Sequence, residues 1–188
     1  MPYFSEADAR LIIRQTYGEV QSANAEVAEA IYDREELERL PYGSVALALG
    51  VGHPVRYAAL KPGETVLDLG CGAGIDTLLA GLAVGSEGRA VGLDMTPAMI
   101  ERAREHVASL GLTNVELREG LMEAIPLPDG SIDVVISNGV LNLSTRKGRV
   151  LAETMRVLRP GGRVSLADLV ITEALPEEVL KSPAALAG

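Results

Sequence analysis

Asp68 stands before a run of closely spaced glycines, Gly70-Cys71-Gly72-Ala73-Gly74, and a second acid, Asp94, follows Gly74 by twenty residues. Glycines at that spacing let a ligand approach backbone N–H groups where a helix begins. Dinucleotide sites use such loops too, but their fingerprint places a glycine where this chain has Ile75. A carboxylate at position 68 would oppose a pyrophosphate by roughly 1–4 kcal/mol at contact distance. It would favour a ligand that carries positive charge. The alternative reading of Asp68 is a cap on the following helix, without a ligand. Asp94 can accept both hydroxyls of a ribose. Its alternative is to cap the helix beginning at Thr96, a task expected of Thr96 itself. Met95 suits the face of an adenine or the filling of a core.

These residues need a scaffold, and the pattern from Thr65 onward supplies one. Thr65–Leu69, Arg89–Asp94, Val115–Glu119, Ile132–Ser137 and Arg163–Leu169 read as strands. Helices are expected at Asp76–Val84, from Pro97 to a stop at Gly111, and at Arg146–Leu158, before Pro160-Gly161-Gly162. Strands alternating with helices imply an α/β fold, a doubly wound parallel sheet that binds ligands beyond the carboxyl ends of its strands. The segment before it differs. All six aromatics lie between Tyr3 and Tyr57. Helices are expected at Glu6–Thr16, with Ser5 as cap, and at Ala25–Leu40, stopped by Pro41, with helical turns at Val45–Leu49 and Val55–Leu60. A helical cap over residues 1–60 and a ligand-binding core over 61–188 follow as the expected organisation.

Composition narrows the function. The chain has 188 residues, a net charge of -9 and 47% hydrophobic residues. That supports one domain with a packed core, and the acidic balance argues against a nucleic-acid partner. One cysteine excludes an internal disulfide and a Cys-rich zinc site, and no metal constellation is evident. No apolar run is long enough to span a bilayer. The first residues lack the pattern of a secretion signal, so a cytoplasmic protein is expected.

Three segments together resemble a class I S-adenosylmethionine-dependent methyltransferase: Val66-Leu67-Asp68-Leu69-Gly70-Cys71-Gly72-Ala73-Gly74, Val91-Gly92-Leu93-Asp94-Met95-Thr96 and Arg156-Val157-Leu158-Arg159-Pro160-Gly161-Gly162-Arg163. Leu49-Gly50-Val51-Gly52-His53-Pro54, Leu60–Glu64, Asp94–Met99 and Ser137-Asn138-Gly139-Val140-Leu141-Asn142-Leu143 are similar, more narrowly, to the arsenite methyltransferases. The resemblance implies a Rossmann-like sheet of order 3-2-1-4-5, with the family's last two strands absent. It implies S-adenosylmethionine as cofactor, an ammonium and sulfonium compound without phosphate, which suits Asp68. It places Gly70, Cys71, Gly72 and Gly74 in the cofactor loop, Asp94 and Met95 at the adenosine, Gly120–Glu123 beside the adenine and Asn138 near the methionine end. Many relatives carry an acid where this chain has Leu121, so adenine recognition would rest on Met122 and Glu123.

The departures concern the acceptor. The arsenite enzymes hold As(III), a soft ion, with cysteine thiolates at positions where this chain has Val51 and Gly139. Cys71 is expected to fill space in the cofactor loop. The expected function is therefore methyl transfer to a small molecule, with no nucleic-acid or membrane partner. The alternatives are arsenite methylation with external thiols or a longer chain, cofactor binding without catalysis, and a nicotinamide-dependent oxidoreductase, disfavoured by Asp68 and Ile75. Other candidates read two ways. His53 lies on the acceptor side or is a plain loop histidine, Asp168 is an acceptor-side or turn carboxylate, and Asn142 orients substrate or pins its loop. Tyr17 and Tyr42 form an aromatic lid or pack as ordinary core. His106 is expected on the solvated surface of its helix.

Overall fold

The computed structural model describes residues 3–20 and 25–186. The chain ends and the link between the first two expected helices lie outside that range. The five strands are β1 (Thr65–Leu69), β2 (Arg89–Asp94), β3 (Val115–Glu119), β4 (Ile132–Asn138) and β5 (Leu158–Ala167). They form one sheet of order β3-β2-β1-β4-β5, parallel in every pairing. Both faces are covered, which explains why β1 and β4 are mostly apolar, with Val66, Leu67 and Leu69 in β1 and Ile132, Val134, Val135 and Ile136 in β4 all buried. Leu67, Leu69, Val91, Leu93 and Val135 join one buried cluster. Val66, Ala90, Val134 and Ile136 join another. Each such side chain contributes about 1.5–3 kcal/mol by leaving water.

The order reverses between β1 and β4, so the chain leaves these neighbours in opposite directions and opens a crevice above their carboxyl ends. β5 begins at Leu158 and not at Arg163, because Leu158 pairs with Ile132 before a bulge passes the Pro160-Gly161-Gly162 turn.

Helices α1 (Glu6–Glu19), α2 (Ala25–Ile31), α3 (Arg34–Leu37), α4 (Tyr42–Ala46) and α5 (Pro54–Tyr57) precede the sheet. The long helix expected over Ala25–Leu40 is broken at Tyr32-Asp33. The Glu36 carboxylate accepts the Asp33 N–H at 3.0 Å and starts α3 as a separate turn. Glu36 also takes His53 Nε2 at 2.8 Å, while His53 Nδ1 accepts the Arg56 N–H. His53 is thus the buried cap of α5 and a link to α3. Ala28, Tyr32, Val45 and Ala48 pack directly on Ile75, Leu78 and Leu79 of α6 (Ile75–Val84).

Three further elements matter to the site: α7 (Pro97–Leu110), a 3-10 turn at Leu141–Leu143, and α8 (Lys147–Val157). Two short helices, α9 (Glu177–Leu180) and α10 (Pro183–Leu186), follow β5. Among the described residues, no helix is long and apolar enough to cross a membrane.

Candidate functional site

The carboxyl ends of the strands open into a cleft of about 1160 Å³, counted out to its mouth. Asp68, Gly70, Cys71, Gly72, Gly74, Asp94, Met95, Met122, Glu123 and Asn138 all lie on its wall. The order of strands sets their order in space: Met122 and Glu123 follow β3, Asp94 ends β2, the glycine loop leaves β1, and Asn138 ends β4.

The glycine loop works differently from the expectation that its N–H groups would meet a ligand. Gly70 and Cys71 N–H both donate to Leu93 O, Gly72 N–H to Asp94 Oδ2 at 2.9 Å, and Gly74 N–H to Cys71 O. Parallel pairing lays the loop against the end of β2, and these donors are engaged there. A phosphate would find them occupied. The glycines provide close approach instead: a Cβ on Gly72, at φ +52, would meet nothing within 4 Å, so this backbone faces open space.

Asp94 holds the turn together as well as facing the cleft. Oδ1 accepts Thr96 N–H at 2.8 Å and Oδ2 accepts Gly72 N–H. Thr96 makes no cap with its own side chain, so the capping that Thr96 was expected to perform falls to Asp94. The Thr96 hydroxyl and the Met95 N–H also bear on this carboxylate. Burial pushes the Asp94 carboxyl above its ordinary range.

Asp68 is buried and accepts Thr77 Oγ1 at 2.6 Å. Burial, then the charge of Asp76, raises its carboxyl well above the usual value. Burial likewise raises the Cys71 thiol, so it stays protonated and matches the filler expected there. Asn138 is a hub. Its Oδ1 accepts the N–H groups of Val51 and Gly52 at 2.8 and 3.1 Å, and its Nδ2 donates to Gly52 O and Asp76 Oδ2. It therefore fastens the loop before α5 across the end of β4. Glu123 is tied to the opposite rim by Ser144 Oγ, 2.6 Å from Oε1.

Asp76 was missed by the sequence reading. It lies in the first turn of α6, where an acid reads as ordinary dipole compensation. Instead it is buried on the cleft wall. Its Oδ2 accepts Tyr32 Oη at 3.0 Å and Asn138 Nδ2 at 2.9 Å. Burial raises its carboxyl to about 6. Its place as the second residue of α6, directly after the glycine loop that leaves β1, was the available signal.

Other expectations are corrected or resolved. His106 is buried on α7, and its Nδ1 lies 2.9 Å from Ala73 O, anchoring the glycine loop from behind. Of the suggested aromatic lid, Tyr17 lines the cleft, whereas Tyr42 is 77% exposed and stands outside it. The buried aromatic is Tyr32, packed on His53 at 4.6 Å. Asp168 accepts Asn142 N–H and Leu169 N–H and serves the turn, while the Asn142 side-chain Oδ1 is buried without a hydrogen-bond partner among the described residues. α1 presents Glu6, Ala9, Arg10, Ile13 and Tyr17 to the cleft, one helical face.

In charge, the cleft wall carries Glu6, Asp68, Asp76, Asp94 and Glu123 against the single cation Arg10, itself paired with Glu6. That field attracts a cation and repels a phosphate.

Comparison with known proteins agrees with this geometry. Residues 60–187 match the family model described as a methyltransferase domain. The chain is 49% identical over 157 residues to an arsenite methyltransferase of Halobacterium salinarum, covering 84% of this chain and 40% of that protein. It is 35% identical over 132 residues to a ubiquinone/menaquinone biosynthesis C-methyltransferase of a Marinomonas species, covering 69% of this chain and 51% of the relative. Among solved structures, an arsenic(III) S-adenosylmethionine methyltransferase of Chlamydomonas reinhardtii superposes with a TM-score of 0.66 at 37% identity, over 86% of this chain and 54% of that one. The chain thus spans about half or less of these relatives. With its sheet order, its crevice at the strand reversal and these matches, the chain belongs to the methyltransferase-domain family and has the class I fold.

Proposed function

We propose that the cleft binds S-adenosylmethionine and that the chain supports methyl transfer from it to a small-molecule acceptor. The observation that carries this reading is the acidic cleft, five carboxylates against one guanidinium among the described residues, floored by a glycine loop whose Gly70, Cys71, Gly72 and Gly74 N–H groups are engaged within the protein. The residues present fit the cofactor: the Asp68, Asp76 and Asp94 carboxylates, which form no ion pair among the described residues, suit a cationic adenosyl compound, and the open face of Gly72 gives it room. The bound cofactor supplies a methyl group already activated by a sulfonium, so displacement at that carbon needs alignment and dryness more than a strong base. The chain's residues provide both. Asp94, at the end of β2 on the cleft wall, would accept the ribose hydroxyls. Met122 and Glu123 border the adenine side, and Asp68 faces the amino-acid end. Ala9 and Ile13 of α1, with Leu49, Val140 and Leu143, present apolar surface to exclude water. Calorimetric titration with S-adenosylhomocysteine and with NADH tests the reading. Binding of the first and not the second is expected, and the reverse result defeats it.

A second reading, arsenite as acceptor, draws on the likeness to arsenite methyltransferases and on one contact. A Cβ on Gly139 would lie 3.6 Å from Val51 Cγ1, so the two positions where the resemblance puts thiols face each other. Neither carries a thiol, and Cys71 is buried in the glycine loop. Oxygen and nitrogen ligands match As(III) poorly. These 188 residues are therefore expected to show no tight arsenite binding. A Val51→Cys, Gly139→Cys double variant should acquire it, measured by mass spectrometry of the protein–arsenic adduct. Tight binding by a Cys71→Ser variant would instead revive the arsenite reading with other ligands.

A further inference from the structure

Asp76 has an oxygen that the protein does not use. The residue is 3% exposed, and its Oδ2 is satisfied by Tyr32 and Asn138. Its Oδ1 is buried on the cleft wall and has no hydrogen-bond partner among the described residues. A buried carboxylate oxygen in that state is destabilising. Packing does not require it, since an amide oxygen would serve Tyr32 and Asn138 equally. No ion pair among the described residues relieves it. The position is also informative: Asp76 lies between Asp68, which it raises electrostatically, and Asn138, at the β1–β4 end of the cleft and away from Asp94 on β2.

We propose that Asp76 Oδ1, beside Asp68, receives the ammonium of the donor's amino-acid end and so orients the methionine portion within the cleft. The assignment rests on the S-adenosylmethionine reading and adds a residue to it. Oδ1 then gains the partner it lacks, and two buried carboxylates share one positive charge. Tyr32 and Asn138 fix the carboxylate's plane, and Asn138 also holds Val51 and Gly52. Filling this position is thereby linked to the loop before α5.

The test compares the parent with Asp76→Asn, using S-adenosylhomocysteine and 5′-methylthioadenosine, which keeps the adenosine and thioether but has no amino-acid end. Calorimetry should show the variant binding S-adenosylhomocysteine at least tenfold more weakly and methylthioadenosine within twofold of the parent. The unliganded variant should melt no lower than the parent, because the unpartnered position then holds a neutral amide NH2 beside the Asp68 carboxyl. Equal weakening of both ligands, or unchanged S-adenosylhomocysteine binding, overturns the proposal. A parent that binds neither ligand overturns the cofactor reading itself.

A second measurement needs only the parent and covers a variant that fails to fold. The groups around Asp76 are Asp68, Tyr32, His53, Glu36 and Asn138. An arriving ammonium ionises the carboxyls of the Asp68–Asp76 pair. Near pH 6, S-adenosylhomocysteine should therefore release protons on binding, read from its enthalpy in buffers of different ionisation heat, and methylthioadenosine should release fewer. Equal release by both ligands counts against the proposal.

Discussion

Asp94 has two occupations, one structural and one proposed. Its carboxylate holds the Gly72 and Thr96 N–H groups, so Asp94→Ala leaves two donors unpaired near the cleft floor. We expect that variant to lose about 1.5–3 kcal/mol of S-adenosylhomocysteine affinity through a charge-assisted hydrogen bond. It should also melt below the parent, and calorimetry with a thermal melt separates the two effects. The raised carboxyls of Asp68, Asp76 and Asp94 have a consequence for stability with a definite sign. Each binds its proton more tightly folded than unfolded, so each contributes stability at low pH that is lost as pH rises from its unfolded value to its folded one. For Asp76 that window runs from 3.8 to about 6, an effect on the order of 2–3 kcal/mol. Urea titrations of the unliganded protein at pH 4.5 and pH 7 should show this decline, and Asp76→Asn should flatten it. A parent more stable at pH 7 by a similar margin would contradict the assignment.

The loop after β3 depends on α8. Arg156 donates to Ile125 O, Leu127 O and Asp129, and Glu153 accepts the Ile125 N–H at 2.9 Å. The Arg156 hydrogen bonds hold the Glu153 carboxyl below its ordinary range. This clamp sits directly after Gly120–Glu123, the segment on the adenine side. Arg156→Ala should destabilise the protein by about 2–3 kcal/mol, since buried acceptors and Glu153 lose their partner. It should weaken adenosine binding more than a surface substitution such as Arg104→Ala. α1 makes a different kind of contact, one helical face over the cleft with few neighbours otherwise. Its amides in Ser5–Glu19 are therefore expected to exchange more slowly when S-adenosylhomocysteine binds, measured by hydrogen exchange. Unchanged exchange would reduce α1 to passive packing.

The two edges of the sheet are unlike. β3 carries Arg118 and Glu116, with Arg89 of β2 paired to Glu116, and such charges discourage pairing with another chain. β5 bonds only to β4 and shows Val164 and Leu166 at 41% and 42% exposure, followed by exposed Leu169, Val170 and Ile171. An apolar edge of that kind promotes association between chains. The apparent mass of the 188-residue protein by light scattering should rise above that of one chain as concentration increases. Val164→Lys with Leu166→Lys should suppress it while leaving ligand affinity unchanged. Scattering that persists in the double variant would place the sticky surface elsewhere.

Residue order alone carried the sheet. Short, largely apolar strands, separated by helices with Pro and Gly at their ends, admit few arrangements, and parallel connections put every strand's carboxyl end on one side. For that reason Asp68, the glycines and Asp94 were legible as one wall, each lying at or just beyond a strand end, whereas Met122, Glu123 and Asn138 were named only through the resemblance to the methyltransferases. Side-chain partnership was not legible, because it joins residues distant in sequence. Asp94 and Gly72, His106 and Ala73, and Asp76 with Tyr32 and Asn138 meet only after the sheet has formed. His106 looked solvated among charged helix neighbours, but its face is decided by the glycine loop lying across α7. The break in the helix over Ala25–Leu40 was locally encoded in the Asp33–Glu36 capping box, whereas the reach of Glu36 across to His53 was not. Asp76 shows the division most clearly. Its position in the chain suggests a helix-end acid, and only packing, by removing water and leaving one oxygen without a partner, makes it part of a site.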